Sequence, residues 1–350
     1  MTMKIIAISS PRRRVLRRSG MSIRVPDFVA LMKPRVMLLA VFTAFVGMMI
    51  APASLDPLHG TLALIAIAVG AGAAGALNMW SDADIDAVMT RTAQRPIPRG
   101  RVFRREALRF GLFLCCAGVL LLGMATNVAA AGLLAFTIFF YIAVYTLWLK
   151  RITPQNIVIG GAAGALPPMI GWAAATGDIG LEPIVLFLII FLWTPPHFWA
   201  LSLNRADEYR RAGVPMLPVV AGRAATTRRI FVYSVLLVPT SLLPTALGYA
   251  GVMYGVAALG CGAVFLTLAL RLRRSPDTDR QAPQRLFLFS ISYLFILFAA
   301  LLTHGIVDRS SWTTSTRDDA WRNTPSVPAA VLQTPPRTAI AFVAARFDEA

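Results

Sequence analysis

Charge is scarce in this chain of 350 residues, and acid is scarcer than base. Only 15% of residues are charged, with 17 Asp and Glu against 34 Lys and Arg, while 57% are hydrophobic and mean hydropathy is +0.64. Soluble domains run about half apolar and a quarter charged, so the shortage excludes that class. Cysteine is nearly absent as well. Cys115 and Cys116 are adjacent in one apolar run and Cys261 lies in another. Neighbours on a helix point about 100° apart, which excludes a disulfide between the first two. No metal-ligand spacing exists among them, and they read as small packing residues. A signal peptide is also missing: the apolar piece Ile5–Ile8 is too short, with the charges on its wrong side.

Lys and Arg are missing from one set of loops altogether. The segments near 54–60, 127, 176–182 and 250 contain none, although they hold Asp56, Asp178 and Glu182. The alternate segments carry nine in 1–35, seven in 81–109, two at Lys150 and Arg151, six in 204–229 and five in 271–285. Between them lie apolar runs long enough to cross ~30 Å of hydrocarbon as helices. Nine are expected, near 36–53, 61–80, 107–126, 128–148, 156–175, 183–203, 229–249, 252–271 and 286–306. Basic residues stay on the cytosolic side of membranes. The chain therefore reads as an all-α membrane protein, a bundle of nine transmembrane helices with a cytosolic N-terminus and an external C-terminus. Its net charge of +17 follows from topology, so nucleic acid is excluded as a partner and membrane lipid takes its place. Residues 1–27 form a basic cytosolic tail, in which Met21 is a second candidate start. Residues 28–306 form the membrane domain. Residues 307–350 form an external, mostly disordered tail with a short helix near Ala339 to Phe347.

Against that poverty of charge, one stretch is crowded. Asn78-Met79-Trp80-Ser81-Asp82-Ala83-Asp84-Ile85-Asp86 ends the second apolar run, and Arg91, Arg95, Arg99, Arg101, Arg104 and Arg105 follow. Asn78, Asp82 and Asp86 are four residues apart, so on a helix they drift only about 40° per step and share a face. Asp84 projects elsewhere. Three clustered carboxylates at a bilayer edge repel one another unless a cation joins them. Mg²⁺ takes one or two carboxylates and leaves positions for phosphate and water. Lys33-Pro34-Arg35 places two more cations at the mouth of the first membrane helix, with Pro34 suited to its first turn.

A second mixed loop follows the sixth helix on the same face. It contains Pro195-Pro196-His197-Phe198-Trp199, then Arg205, Asp207, Glu208 and Tyr209, then Ala212-Gly213-Val214-Pro215-Met216-Leu217-Pro218. Two acidic points ringed by Arg suit two Mg²⁺ ions bridged by a diphosphate, with Arg binding phosphate bidentately. Of the three histidines, His59 and His304 fall on the external side. His197 lies eight residues before Arg205, ~12 Å deeper along a helix. An ionisable residue at that depth faces a cavity, as a porphyrin ligand or polar substrate contact, or is hydrogen-bonded within the bundle. Trp193, Phe198, Trp199, Phe140, Tyr141, Tyr145 and Trp148 supply π faces for an allylic cation or, equally, interfacial belt and packing surface.

Asn78-x-x-x-Asp82-x-x-x-Asp86 followed by Arg91-Thr92-x-x-Arg95-Pro96 resembles the first aspartate motif of the intramembrane aromatic prenyltransferase superfamily. Lys33-Pro34-Arg35, Pro196-His197-Phe198-Trp199-Ala200-Leu201 and Ala212–Pro218 are similar to its heme-farnesylating branch, over roughly residues 28–306. The resemblance implies a bundle with a central cavity capped by cytosolic loops, in a bacterial inner membrane. It implies a reaction in which farnesyl diphosphate and water add to a vinyl group of heme B, giving heme O and diphosphate. Heme O then serves terminal oxidases, so a heme A synthase or oxidase assembly protein is an implied partner. Asp82, Asp86, Arg91 and Arg95 would be catalytic, and Lys33, Arg35, Arg91 and Arg95 would bind diphosphate. Asn78, Asp82, Asp86, Asp207 and Glu208 would face Mg²⁺, and His197 would bind heme. The chain departs from the family at Glu208-Tyr209, where Asp-Tyr is common, leaving open which of Asp207 and Glu208 meets a metal. The rival readings are prenylation of a quinone or chlorophyll precursor and secondary transport of an anion. The first does not account for the segment around His197. The second expects acids near the midplane and inverted repeats, neither of which is present.

Overall fold

The computed structural model describes residues 25–322, with side chains described as far as residue 305. Among them there are helices and no strand. The chain runs through α1 (Val25–Leu31) and α2 (Pro34–Ile50), whose axes meet at 54°. Next come α3 (Pro57–Ser81), the short α4 (Ala83–Val88) and α5 (Arg104–Ala125). α6 (Val128–Phe139) continues through a π-helical stretch, Phe140–Leu149, into the single turn α7 (Lys150–Ile152). α8 (Asn156–Ala165) and α9 (Pro167–Thr176) form one interrupted crossing, and α10 (Leu181–Leu203) follows. After α11 (Ala206–Arg211) and α12 (Leu217–Val220) come α13 (Gly222–Ala246), α14 (Val252–Arg274) and α15 (Gln281–Arg322).

Eight segments are long and apolar enough to cross a membrane, and the bent pair α1 and α2 makes a ninth when taken as one span. This is a multi-pass membrane protein. Its outward side chains agree: Phe113 is 69%, Val256 64% and Phe295 53% exposed, a cost in water that disappears against acyl chains. α15 stays helical past the expected end near 306, as far as Arg322. Gly305–Ala350 is a unit separate from Met1–His304. The expected helix near Ala339 and the basic tail before Val25 lie outside the described residues.

Lipid tails are as apolar as leucine, so helix association depends on close van der Waals approach. The sequence supplies small residues where helices cross. A Cβ on Gly171 would stand 1.9 Å from the Ala44 carbonyl oxygen, and one on Gly47 would stand 2.1 Å from that of Pro168, so α2 and α9 touch backbone to backbone. α3 and α5 approach similarly, with Gly118 against Gly70 and Ala66. Asp56 caps α3 by accepting from the Leu58 and His59 amides. Asn127 caps α6 and donates to the Ala173 and Ala174 carbonyls at the end of α9.

Candidate functional site

On a helix, Asn78, Asp82 and Asp86 would share a face. In the structure α3 ends at Ser81, close to the expected end near 80, and Asp82 (φ −85°, ψ 10°) is the junction with the short helix α4. The face survives because the hydrogen bonds run across the junction, Asp82 N to Asn78 O at 2.9 Å and Asp86 N to Asp82 O at 2.8 Å. All three side chains are buried, as expected of a shared face. Asp84 points away and is exposed, held by Arg151 at 2.8 and 2.9 Å. Those hydrogen bonds lower its carboxyl to about 2.

Each of the three buried polar groups has a cation or its equivalent. Lys33 Nζ lies 2.5 Å from Asn78 Oδ1, and Lys150 Nζ lies 2.5 Å from Asp82 Oδ2. Arg95 Nη1 donates to both carboxylate oxygens of Asp86, at 2.8 and 2.7 Å. Asn78 Nδ2 also donates to Asp82 Oδ2 and to Thr146 Oγ1, which ties α3 to the π-helical stretch. Lys33 has a left-handed backbone (φ 56°), the one non-glycine residue so disposed among the described residues. Strain of this kind concentrates where geometry serves function. Lys33 is within electrostatic reach of Arg95, Lys150, Asp82 and Asp86, so three bases meet two acids. The surplus positive charge suits a polyanion.

The second loop meets the first through Arg91. This exposed side chain is within electrostatic reach of Asp86 and Arg95 on its own side, and of Arg205 and Tyr209 across the gap. Tyr145 likewise lies near both Asp82 and Tyr209. The structure separates the two acids that the sequence left as alternatives. Asp207 is exposed and paired with Arg210 one turn on, whereas Glu208 Oε2 is buried with no hydrogen-bond partner. Arg35 is exposed and makes no hydrogen bond or ion pair among the described residues.

Among the described residues no three of His, Cys, Asp and Glu converge as a ready-made cage. Mg²⁺ needs none, since it usually takes one or two carboxylates and fills its octahedron with water and phosphate. Asp82 Oδ1 is buried without a partner, as is Glu208 Oε2. An orphaned buried carboxylate oxygen costs stability unless something joins it. The donor set fits Mg²⁺ at Asp82, with Asp86 and Asn78 already engaged by Arg95 and Lys33.

His197 lies in α10, 8% exposed, with its ring stacked between Trp193 (centroids 4.3 Å apart) and Phe287 (4.7 Å). Its Nδ1 is 2.6 Å from Ser290 Oγ on α15. The sequence offered a bundle hydrogen bond or a substrate contact as alternatives for this residue. The first is present through Nδ1, and Nε2 is left over. The aromatic residues divide. Tyr141 and Tyr145 pack tilted against each other beside Asp82, whereas Trp148 is exposed and Phe140 packs on Phe136.

Lys150 and Thr146 were missed in the sequence. They follow Tyr145 and Tyr141 by five residues, a spacing that places side chains on different faces of an α-helix and on one face of a π-helix. The Thr146 hydroxyl accordingly donates to the Tyr141 carbonyl, five residues back, at 2.8 Å. No periodicity search at 3.6 residues per turn finds this face.

The pattern of the UbiA prenyltransferase family matches residues 40–292. The protoheme IX farnesyltransferase of Methylobacterium radiotolerans is 60% identical over 280 residues, spanning 79% of this chain and 89% of that protein. That of Rhodopseudomonas palustris is 61% identical over 284 residues, 81% of this chain and 91% of the relative. Among solved structures, a digeranylgeranylglyceryl phosphate synthase superposes with a TM-score of 0.67 at 20% identity, covering 80% of this chain and 98% of the other. A UbiA homologue from Archaeoglobus fulgidus bound to GPP and Mg²⁺ gives 0.58 at 15% identity, covering 79% and 99%. These two likenesses speak to the fold alone.

Proposed function

The chain belongs to the UbiA prenyltransferase family, and we propose that the site described above ionises farnesyl diphosphate so that its farnesyl group can join protoheme. The enzyme transfers the farnesyl group to a vinyl group of heme B with addition of water, giving heme O and diphosphate. The allylic C–O bond breaks with its electron pair leaving on diphosphate. The terminal vinyl carbon forms the new C–C bond, and water adds to the neighbouring carbon and gives up a proton.

The single observation that carries the site assignment is the convergence of Lys33, Arg95 and Lys150 on Asn78, Asp86 and Asp82. Bound Mg²⁺, held at Asp82 and on the facing loop at Glu208, would neutralise the leaving group. Lys33, Arg95 and Lys150 hold diphosphate oxygens from inside the bundle, and Arg91 closes from the loop side, with Arg205 beside it. Arg35, exposed in the first turn of α2, adds positive charge close to Lys33 in sequence. Electrostatic stabilisation by fixed donors is the largest contribution in reactions that separate charge in this way. Asn78 and Thr146 keep Asp82 oriented. Asp207, turned outward onto Arg210, serves the loop's fold. Heme lies on the side of His197.

The Lys and Arg distribution supports a bacterial inner membrane with this site on the cytosolic face. Heme O then passes to a terminal oxidase or to a heme A synthase. Membranes containing the protein, given heme B, farnesyl diphosphate and Mg²⁺, are expected to yield a farnesylated, hydrated heme by mass spectrometry. Prenylated quinone precursors with no change in the heme would reverse the assignment.

A further inference from the structure

Ser290 decides which nitrogen of His197 carries the proton. Its Oγ lies 2.6 Å from the Phe287 carbonyl oxygen and 2.6 Å from His197 Nδ1. Two oxygens at 2.6 Å repel unless a hydrogen lies between them, and a serine hydroxyl has one hydrogen. The Phe287 carbonyl has none to give, so the hydroxyl hydrogen is committed there. Towards the imidazole, Ser290 can then only accept. Nδ1 is therefore the protonated nitrogen, and Nε2 carries the lone pair.

The surroundings hold that arrangement still. Trp193 Nε1 donates to the Ser290 carbonyl at 2.7 Å, which fixes the α15 backbone at this residue. The imidazole plane is clamped between Trp193 and Phe287, with Phe198 edge-on at 5.1 Å. Nε2 has no hydrogen-bond partner among the described residues, and His197 keeps 8% of its surface exposed. A histidine that binds a metal typically donates its other ring N–H to an oxygen, which fixes the tautomer and aims the lone pair. The chain from Nδ1–H through Ser290 Oγ to the Phe287 carbonyl is that device, built from residues on α10 and α15.

We infer that Ser290 is a positioning residue that presents His197 Nε2 as the axial ligand of the iron of protoheme. The inference rests on heme as the acceptor. Ligation through Nε2 anchors the porphyrin by its centre and leaves its vinyl edges free, which a pocket that holds the rim would not do.

Two measurements test it. The chain has three histidines, His59, His197 and His304, so ¹⁵N-histidine labelling of the full chain in lipid nanodiscs gives an assignable spectrum. His197 is expected entirely as the Nδ1–H form, and Ser290→Ala is expected to admit the Nε2–H form. An Nε2–H signal assigned to His197 in the unsubstituted protein would overturn the inference without touching the heme reading. The second measurement titrates hemin and follows the Soret band and electron paramagnetic resonance. Nitrogen ligation is expected, lost in His197→Gly and restored by added imidazole. Ser290→Ala should bind hemin about 10-fold more weakly, the lower end for losing an outer partner of a ligating histidine, and Ser290→Thr, which keeps the hydroxyl, should bind more tightly than Ser290→Ala. Hemin spectra unaltered in His197→Gly, or unchanged affinity in Ser290→Ala, would overturn the ligand role. If heme O is nevertheless formed, the farnesyl-transfer reading stands. If the unsubstituted protein neither binds hemin nor forms heme O, that reading fails and the ligand role falls with it.

Discussion

Replacing Lys150 by methionine removes the cation from Asp82 while keeping a stem of similar length in place. The Asp82 side chain is 1% exposed and that of Lys150 16%. Asp82 Oδ1 is already unpartnered, so in Lys150→Met only Asn78 Nδ2 donates to the carboxylate. Breaking a buried ion pair from one side costs about 3–5 kcal/mol, because a charge stays buried without compensation. The slight exposure of Lys150 places this case near about 3 kcal/mol, roughly two orders of magnitude in the unfolding equilibrium. Two comparisons separate this cause from general damage. Adding Asp82→Asn to Lys150→Met removes the orphaned charge and should recover at least about half of the loss, a coupling of about 1.5–3 kcal/mol. Mg²⁺ at 100 times its dissociation constant should stabilise by about 2.7 kcal/mol, through a site no longer contested by the lysine. The assay is thermal unfolding in nanodiscs with chelator, with Mg²⁺, and for the double variant. Equal stability of Lys150→Met and the unsubstituted protein in chelator would refute the reasoning, as would additive losses in the double variant. Heme O formation should fall at least 10-fold in Lys150→Met even where folding is rescued.

The other predictions are more direct. Asp82→Asn, or removal of divalent ions by chelator, should lower heme O formation more than 100-fold. The protein should stay in the membrane, and Mg²⁺ should restore only the chelated sample. Glu208→Gln should lower activity at least 10-fold while Asp207→Asn stays within two-fold, because only Glu208 keeps a buried free oxygen; equal effects on product formation would reject the distinction. Gly171→Ala should destabilise by about 1–3 kcal/mol, since its methyl meets the Ala44 carbonyl at 1.9 Å. Gly164→Ala, with nothing within 4 Å, should match the parent in the same melting assay.

Much of the fold was legible because a bilayer imposes simple rules. Span length follows from hydrocarbon thickness, and the crossings are marked off by loops that alternate between many Lys and Arg and none. The expected nine crossings compare with eight segments, or nine with α1 and α2 joined. The acidic face was legible because hydrogen bonding from each residue to the fourth before it persists across the break at Asp82. The end of α3 near residue 80 was legible as well, whereas the short α4 directly beyond it was not, since no proline or glycine marks the turn at Asp82. Lys150 looked topological because its partnership with Asp82 depends on π-helical winding, which composition does not announce. Asp207 and Glu208 are chemically interchangeable in sequence, and the direction of α11 alone turns one outward.

The sequence by itself determined the class of molecule, the family motifs and the gathering of Lys and Arg in alternate loops. These follow from composition and local spacing, each residue acting through its own chemistry. Tertiary structure alone decided the rest. It brought Lys33 and Lys150 from distant helices onto Asn78 and Asp82, joined the two loops through Arg91, and set Ser290 of α15 against His197 of α10. Such pairings span 45, 68 and 93 residues. Hydrogen bonds at that separation are selected by how helix backbones approach at small residues, and only the packed bundle fixes that approach.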